Sequence, residues 1–128
     1  MIAEKVNFYR CNVCNKIVEV IDDSAGSLVC CKEPAQQLIA NTTNASFEKH
    51  VPVITKEDGK IVVTIGAEQH PMSCEHYIEW VCIVFDNRVN RFIFKPNDKP
   101  QAIFCAKNAL DVTVYAYCNL HGLWKALN

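Results

Sequence analysis

The sequence predicts an all-β protein in which a small metal-stapled domain is followed by an antiparallel β-sandwich. Cysteine pairs crowd the first quarter of the chain, and a domain that short needs a staple because it cannot bury a core of its own. Short apolar runs separated by turn residues fill the remainder, with no helical period. A composition of 50% hydrophobic and 21% charged residues is typical of a folded globular protein.

The predicted N-terminal domain spans residues 1–37 and is organised by four thiolates. Two short strands, 17–21 and 27–29, are separated by turn residues and are predicted to pair as a hairpin. That hairpin would bring two cysteine pairs together. The four predicted metal ligands are Cys11, Cys14, Cys30 and Cys31.

The spacing of these cysteines leaves the identity of the metal open. Four-thiolate sites most often hold zinc. The adjacent positions of Cys30 and Cys31 predict a distorted tetrahedron, which zinc tolerates, so the distortion does not choose between zinc and iron. A redox site further along the chain would make iron the more useful ion.

The net charge and the N-terminal residues limit the cellular compartments and the kinds of partner to be expected. The net charge is −1 and no basic run is present, which argues against nucleic acid and membrane surfaces as partners. Met1–Lys5 is charged and leads into no apolar segment, so neither a signal peptide nor a transmembrane run is predicted. We therefore expect a cytoplasmic protein, where clustered cysteines are metal ligands or redox groups more often than disulfides.

The predicted sandwich domain spans residues 38–128, and a polar connector over 34–47 leads into it. Asp58-Gly59 is a strong hairpin signal ahead of an apolar strand over 60–65. Further strands are predicted over 77–85, 91–94, 102–105 and, as the last of the chain, 112–117.

Three cysteines outside the metal sites have ordinary interpretations. Cys82 alternates with apolar residues and Cys105 ends an apolar strand, so both are predicted to pack as small hydrophobes. Cys74 lies in the loop between His70 and His76, where partial exposure would make it oxidisable.

All of the histidines in the chain, together with one cysteine, are predicted to hold a single metal ion. Each lies in a loop or at a strand end, a common way to place a site on a β scaffold. Four nitrogens and one sulfur exceed the four ligands that zinc prefers, whereas imidazoles and a thiolate suit iron. With the nitrogens in a plane and the sulfur on one axis, the opposite position would be open to a small oxygen ligand. The predicted ligands are His50, His70, His76, Cys118 and His121.

Glu48 and Lys49 immediately precede His50 and are the candidate catalytic residues. In an extended segment Glu48 shares a face with His50, so its carboxylate could close the open position. Lys49 would point away in an ideal strand, and reaching the metal requires an irregular or mobile segment. Its ammonium group would attract a small anion and stabilise charge that forms on the bound oxygen.

Taken together, these motifs resemble those of desulfoferrodoxins, the two-iron superoxide reductases. The resemblance extends from Cys11 to Gly122, nearly the whole chain. The residues that carry it are Cys11-x2-Cys14, Cys30-Cys31, Glu48-Lys49-His50-Val51-Pro52-Val53, His70-Pro71-Met72, His76-Tyr77-Ile78-Glu79-Trp80 and Tyr117-Cys118-Asn119-Leu120-His121-Gly122.

The resemblance implies a desulforedoxin-like N-terminal domain with iron on four cysteines, and an immunoglobulin-like domain with iron on four equatorial histidines and axial Cys118. It implies one-electron reduction of superoxide to hydrogen peroxide, with two protons and no release of dioxygen. Glu48 would bind the resting ferric ion, and Lys49 would guide superoxide and organise proton delivery. A rubredoxin-like electron donor and a homodimer are also implied.

The chain departs from the family pattern in its N-terminal domain. Asn15 and Lys32 stand where glycine usually follows each cysteine pair, and Ala35 replaces a usual methionine. Asparagine tolerates a left-handed backbone better than lysine does. The four thiolates are kept, but these changes bear on the geometry and the reduction potential of that site.

Two other classes of protein fit part of the pattern. A blue-copper electron carrier needs two histidines, a cysteine and usually a weak axial methionine, but neither Met1 nor Met72 follows His121. A module that binds a diatomic gas could use an iron with an open position. Lys49 discriminates, because neither a carrier nor a sensor needs a cation beside that position.

Overall fold

A computed structural model of the chain describes residues 6–22 and 24–128. The described residues up to Ile39 form one compact unit, and Ala40–Asn128 form a second. Strands dominate both, which confirms the predicted all-β fold. Within the described ranges, no helix has the length and apolar character needed to cross a membrane.

The first unit is built from very short strands. The strands are β1 (Asn7–Arg10), β2 (Ile17–Val20), β3 (Val29–Cys30), β4 (Glu33–Pro34) and β5 (Gln36–Gln37). They form a sheet of order β2-β1-β5 and a separate ribbon of β3 with β4.

The predicted pairing of residues 17–21 with 27–29 is wrong. β2 pairs with β1 instead, and β3 pairs with β4. Each cysteine pair therefore lies at a tight turn of its own, and such a turn joins its two strands more directly than the longer connection after β2 does. At the first turn, the Cys11 N–H donates to the Lys16 carbonyl at 2.9 Å, and the Asn15 N–H donates to the Cys11 carbonyl at 2.9 Å.

The second unit is the predicted antiparallel sandwich. A single helical turn, α1 (Phe47–His50), precedes its strands. The strands are β6 (Pro52–Glu57), β7 (Lys60–Ile65), β8 (Ile78–Phe85), β9 (Arg88–Ile93), β10 (Gln101–Cys105), β11 (Thr113–Cys118) and β12 (Gly122–Leu127). One sheet has the order β10-β7-β6 and the other the order β12-β11-β8-β9.

Local sequence signals succeed at one hairpin and fail at the chain end. Asp58 and Gly59 have φ of 46° and 74°, the left-handed pair that a two-residue hairpin requires, and they join β6 to β7 as predicted. The strand over 112–117 is not the last, because the chain turns after Cys118 and β12 pairs with β11. The segment before His50 is helical for one turn, which is too short to produce a helical period.

Apolar residues that alternate with more exposed ones along the strands form the core between the two sheets. Ile61, Val63 and Ile65 on β7 are buried at every second position, as expected for a strand with one face inward. Cys82 is buried as predicted. The prediction that Cys105 packs in the core is wrong. Cys105 is exposed, because side chains alternate along β10 and the adjacent residue, Phe104, points inward.

Three non-glycine residues in the two cysteine-bearing turns have a left-handed backbone conformation. Asn15 has φ of 66°, and Arg10 Nη2 donates to its side-chain oxygen at 2.7 Å. Cys31 and Lys32 are left-handed in succession, with φ of 54° and 65°. A side chain with a Cβ pays a steric penalty in this region, so the β3–β4 turn is strained at Lys32.

Replacing Lys32 with glycine should therefore stabilise the first unit. Relief of the left-handed penalty of about 1–2 kcal/mol, less the entropy of glycine in the unfolded chain, gives a net gain of about 0.5–1 kcal/mol. Denaturant unfolding of the metal-loaded protein, followed by the absorption of the thiolate site, measures it. Lys16→Gly is the control, since Lys16 is not in the left-handed region. Equal unfolding midpoints for the two variants would contradict the assignment of strain.

Candidate metal centres

The structure brings the four N-terminal cysteines into one cluster. Their sulfur atoms all lie within 4.8 Å of one another. Cys14 Sγ is 3.7 Å from Cys30 Sγ, and Cys30 Sγ is 3.9 Å from Cys31 Sγ. Thus the adjacent cysteines do reach a common point, as the left-handed backbone at Cys31 and Lys32 allows.

Backbone donors prepare this cluster for a cation. The backbone N–H groups of Cys14 and Val13 lower the pKa of Cys11 to about 6, because they stabilise its thiolate. Hydrogen bonds with Cys11 and Cys14 raise the pKa of Cys30 to about 12. The thiolate of Cys11 is therefore stabilised by the protein alone, whereas Cys30 needs a positive ion to lose its proton at neutral pH.

The four imidazoles of the second unit form a near-square. The ring centroids of His50 lie 4.6 Å from those of His70 and 4.9 Å from those of His121. The His76 centroid lies 4.7 Å from that of His70 and 5.0 Å from that of His121. His50 and His76 are 6.3 Å apart, as the diagonal of such a square must be. Neighbouring rings are nearly perpendicular, at 74–87°.

Hydrogen bonds to backbone carbonyls identify the ring nitrogen that two of the histidines turn inward. His50 Nδ1 lies 2.6 Å from the Ser46 carbonyl, and His70 Nδ1 lies 2.6 Å from the Pro71 carbonyl. Because a carbonyl only accepts, Nδ1 carries the proton in both rings and Nε2 has the free lone pair. This is the arrangement that orients metal-binding imidazoles.

The inward nitrogens face one another rather than a hydrogen-bond donor. Among the described residues, His70 Nε2 and His76 Nε2 are buried without a hydrogen-bond partner. His121 presents its other nitrogen, since His121 Nδ1 lies 3.1 Å from His50 Nε2. Lone pairs that converge in this way and lack donors fit a bound cation.

Cys118 supplies the sulfur of the same cluster. It is fully buried at the end of β11, and its Sγ lies 3.8 Å from His121 Nδ1. The ligand atoms of Cys118, His50, His76 and His121 all lie within 4.8 Å of one another. Burial raises the pKa of Cys118, and the backbone N–H groups of Leu120 and His121 oppose that rise by stabilising its thiolate.

Burial favours the neutral form of three of the imidazoles. It lowers the pKa of His70 to about 4 and also lowers the pKa of His50 and of His76. Neutral imidazole is the form that binds a metal ion, so at neutral pH no proton has to leave these three rings.

Glu48 and Lys49 lie on α1, so the expectation of an extended segment there is wrong. Two positions along a helix turn about 200° around its axis, so Glu48 does not share a face with His50. The Ser46 hydroxyl donates to Glu48 Oε2 at 3.1 Å. The charge of Lys49 does reach the site, because it contributes to lowering the pKa of both His50 and His76.

Asn119 joins two ligand-bearing loops and was not singled out as a functional residue from the sequence. Its Nδ2 donates to the Glu75 carbonyl at 2.9 Å, and its Oδ1 accepts from the Tyr77 N–H at 2.9 Å. These are the residues on either side of His76, and Asn119 itself follows Cys118. Only the tertiary pairing of the two loops reveals this role, although the amide type is a familiar turn residue.

The residues present fit one metal ion of the kind predicted. The ligand atoms of three histidines and Cys118 lie within 4.8 Å of one another, and the ring of His70 completes the square of imidazoles. Four imidazoles and a thiolate are more ligands than a tetrahedral zinc site uses, and together they favour a redox-active transition metal. The arrangement can therefore hold an ion whose charge state changes, with a buried sulfur ligand.

Comparison with known proteins agrees with this geometry. The family described as "Desulfoferrodoxin" matches residues 42–127, and the family described as "Desulfoferrodoxin, N-terminal domain" matches residues 3–38. The chain is 44% identical to a desulfoferrodoxin homolog of Archaeoglobus fulgidus, over 97% of this chain and 98% of that one. It is 46% identical to the desulfoferrodoxin of Nitratidesulfovibrio vulgaris, over 92% of this chain and 93% of that one.

Solved structures resemble the fold. The superoxide reductase of Treponema pallidum superposes with a TM-score of 0.77 at 26% identity, covering 96% of this chain and 99% of that one. A superoxide reductase (neelaredoxin) variant from Archaeoglobus fulgidus in its reduced form gives a TM-score of 0.55 at 30% identity. It covers 66% of this chain and 92% of its own.

The turn after β7 seats α1 through a glycine. Gly66 has φ of 84°, and a Cβ there would lie 2.5 Å from the Lys49 carbonyl oxygen and would also meet the Glu68 carbonyl. The Glu68 N–H donates to the Glu48 carbonyl at 3.0 Å. The backbone of α1 thus packs directly on this turn.

Gly66→Ala should therefore displace α1 and with it His50. We expect a loss of about 2–5 kcal/mol in the free energy of unfolding, from left-handed strain plus overpacking, and weaker retention of metal by the histidine site. Gly59→Ala is the matched control, because its φ is 74° but its nearest contact is an ordinary 3.5 Å. It should lose only about 1–2 kcal/mol. Equal losses in denaturant unfolding would show that the contact with Lys49 is unimportant.

Proposed function

Because the chain belongs to the desulfoferrodoxin family, we propose that it is a superoxide reductase. The reaction is the one-electron reduction of superoxide, in which the substrate takes up one electron and two protons and becomes hydrogen peroxide. The observation that carries the proposal is the near-square of four imidazoles with a buried thiolate beside it.

We propose iron for both clusters. In the second unit the ligands are His50, His70, His76, His121 and Cys118, and in the first they are the four clustered cysteines. An iron ion held by the histidine site would supply the electron. Cys118 and its backbone donors tune that ion, because hydrogen bonds to a ligating sulfur set its charge and hence the reduction potential.

Lys49 is the proposed electrostatic guide for the substrate. Superoxide is a small anion, and a cation near the metal raises its local concentration and stabilises negative charge that forms on oxygen. The influence of Lys49 on the pKa of His50 and of His76 supports a position within electrostatic reach of the reaction. The same ammonium group would organise the delivery of protons.

Glu48 is the residue proposed to bind the metal in the absence of substrate. In this structure its carboxylate accepts a hydrogen bond from the Ser46 hydroxyl. Reaching the metal would require the carboxylate to leave Ser46 and the exposed turn of α1 to move, because Glu48 does not share a face with His50. Glu48 thus would move between Ser46 and the metal as substrate comes and goes.

The remaining parts of the proposal concern the setting of the reaction. We propose that residues 1–37 and 38–128 are the two domains, that the protein acts as a homodimer in the cytoplasm, and that it detoxifies superoxide. A rubredoxin-like protein would return the electron after each turnover. The two family matches, over residues 3–38 and 42–127, support the division into two domains, and the other assignments follow the resemblance to desulfoferrodoxins.

Pulse radiolysis of the reduced, iron-loaded protein tests the function. Superoxide generated by the pulse should disappear in a second-order reaction with the protein, and peroxide should form without dioxygen from the reaction. Formation of dioxygen together with peroxide would indicate dismutation, and an unaltered lifetime of superoxide would remove the activity.

Lys49→Ala should slow the reaction with superoxide by about 10-fold or more and flatten its dependence on ionic strength, because steering by a cation is lost. Iron content should not change, since Lys49 is not among the ligands. Lys49→Arg, which keeps the charge, should retain most of the rate. A second-order rate that is the same in Lys49→Ala and in the parent protein would remove the steering role.

A further inference from the structure

One fully buried aromatic residue contacts two of the proposed ligands. Trp124 lies on β12 and has no solvent exposure. Its ring stacks on the His50 imidazole, with centroids 4.8 Å apart and planes inclined by 22°. Its indole Nε1–H donates to the His121 carbonyl at 3.1 Å. The residue therefore bridges α1 and the β11–β12 turn, which supply ligands from distant parts of the chain.

The stacking contact constrains the rotation of His50. The Ser46 carbonyl holds Nδ1 of this ring, which leaves the tilt of the ring plane to be set by what packs on its face. Trp124 is nearly parallel to that face, whereas His121 is perpendicular to His50 at 87°. The indole thus favours the one tilt that directs His50 Nε2 toward the other ligands.

The hydrogen bond acts on His121 through its backbone. This histidine presents Nδ1, the ring nitrogen nearer to the main chain, at 3.1 Å from His50 Nε2. Because few bonds separate this nitrogen from the backbone, a side-chain rotation can compensate for only a small shift of the backbone. The Trp124 hydrogen bond to the His121 carbonyl therefore bears directly on where Nδ1 lies.

The same indole also touches α1 at a second point. The Phe47 ring meets Trp124 edge-on, with centroids 5.2 Å apart and planes at 85°. Phe47 begins the turn that ends at His50 and carries Lys49. Edge-to-face contacts of this kind are favourable, so Trp124 anchors both ends of α1.

We propose that Trp124 is a positioning residue for the metal: its indole fixes the plane of His50 and the backbone of His121, so that both nitrogens face one point. It does not touch the metal or the substrate. Residues behind metal ligands typically change affinity by about 10-fold to 100-fold when they are replaced. The inference concerns the assembly of the site and does not depend on which reaction the site performs.

Three variants of the full iron-loaded chain test the proposal. Trp124→Phe keeps an aromatic ring but removes the N–H donor, and Trp124→Leu removes both contacts. Trp80→Phe is the matched control, because Trp80 is a half-buried tryptophan on β8 that stacks on Tyr117, with centroids 5.7 Å apart. The readouts are the affinity of the histidine site for Fe²⁺ against a competing chelator, the thiolate-to-iron absorption and the midpoint potential of that iron.

We expect the Fe²⁺ affinity to fall about 10-fold in Trp124→Phe and about 100-fold in Trp124→Leu, with shifts of the absorption and the potential in both. A residue that only fills space would lower the unfolding midpoint but leave the potential unchanged. Trp124→Phe decides the question even if Trp124→Leu does not fold. Parental affinity, absorption and potential in Trp124→Phe, or equal changes in Trp80→Phe, would overturn the proposal. Because none of these readouts uses superoxide, they stand whether or not the proposed activity does.

Discussion

The second unit depends on the convergence of lone pairs that have no donor of their own. His70 and His76 each turn a buried Nε2 inward without a hydrogen-bond partner among the described residues. His121 Nδ1 and His50 Nε2 approach to 3.1 Å, and the buried sulfur of Cys118 lies close to both. A buried polar atom without a partner is costly, and a cation at the common point satisfies all of these atoms at once.

The sandwich serves this convergence by bringing together residues that are distant in sequence. α1 contributes His50, the loop before β8 contributes His70 and His76, and the β11–β12 turn contributes Cys118 and His121. Contacts outside the ligand set then join these pieces in pairs. Gly66 allows α1 to pack closely on the turn after β7. Asn119 joins the His76 loop to the Cys118 loop, and Trp124 joins α1 to the His121 turn. The site is therefore a product of tertiary structure, which no single element could hold.

Much of this could be predicted from the sequence, for identifiable physical reasons. The chain has only four histidines, and each was predicted to lie in a loop or at a strand end, so a shared site was a natural inference. Asp58-Gly59 strongly favours a two-residue hairpin turn whatever surrounds it, and this turn was predicted correctly. The pairing of β2, by contrast, depends on which of two neighbouring segments becomes its partner, and the hairpin prediction chose the wrong one. The predictions that Cys105 is buried and that β11 is the last strand were wrong. An apolar run does not reveal which face of a strand is inward or whether another strand follows. Trp124 and Gly66 gave no local signal, since their contacts exist only after the sheets have assembled.

One metal ion bound by five side chains is the central feature proposed for the second unit. A crystal structure of the iron-loaded protein, with anomalous diffraction recorded at the iron absorption edge, tests this directly. We expect an iron peak among the imidazoles, bonded to Nε2 of His50, His70 and His76, to Nδ1 of His121 and to Sγ of Cys118. An ion bound by fewer of these atoms, or an imidazole that turns its inward nitrogen to solvent instead, would contradict the account.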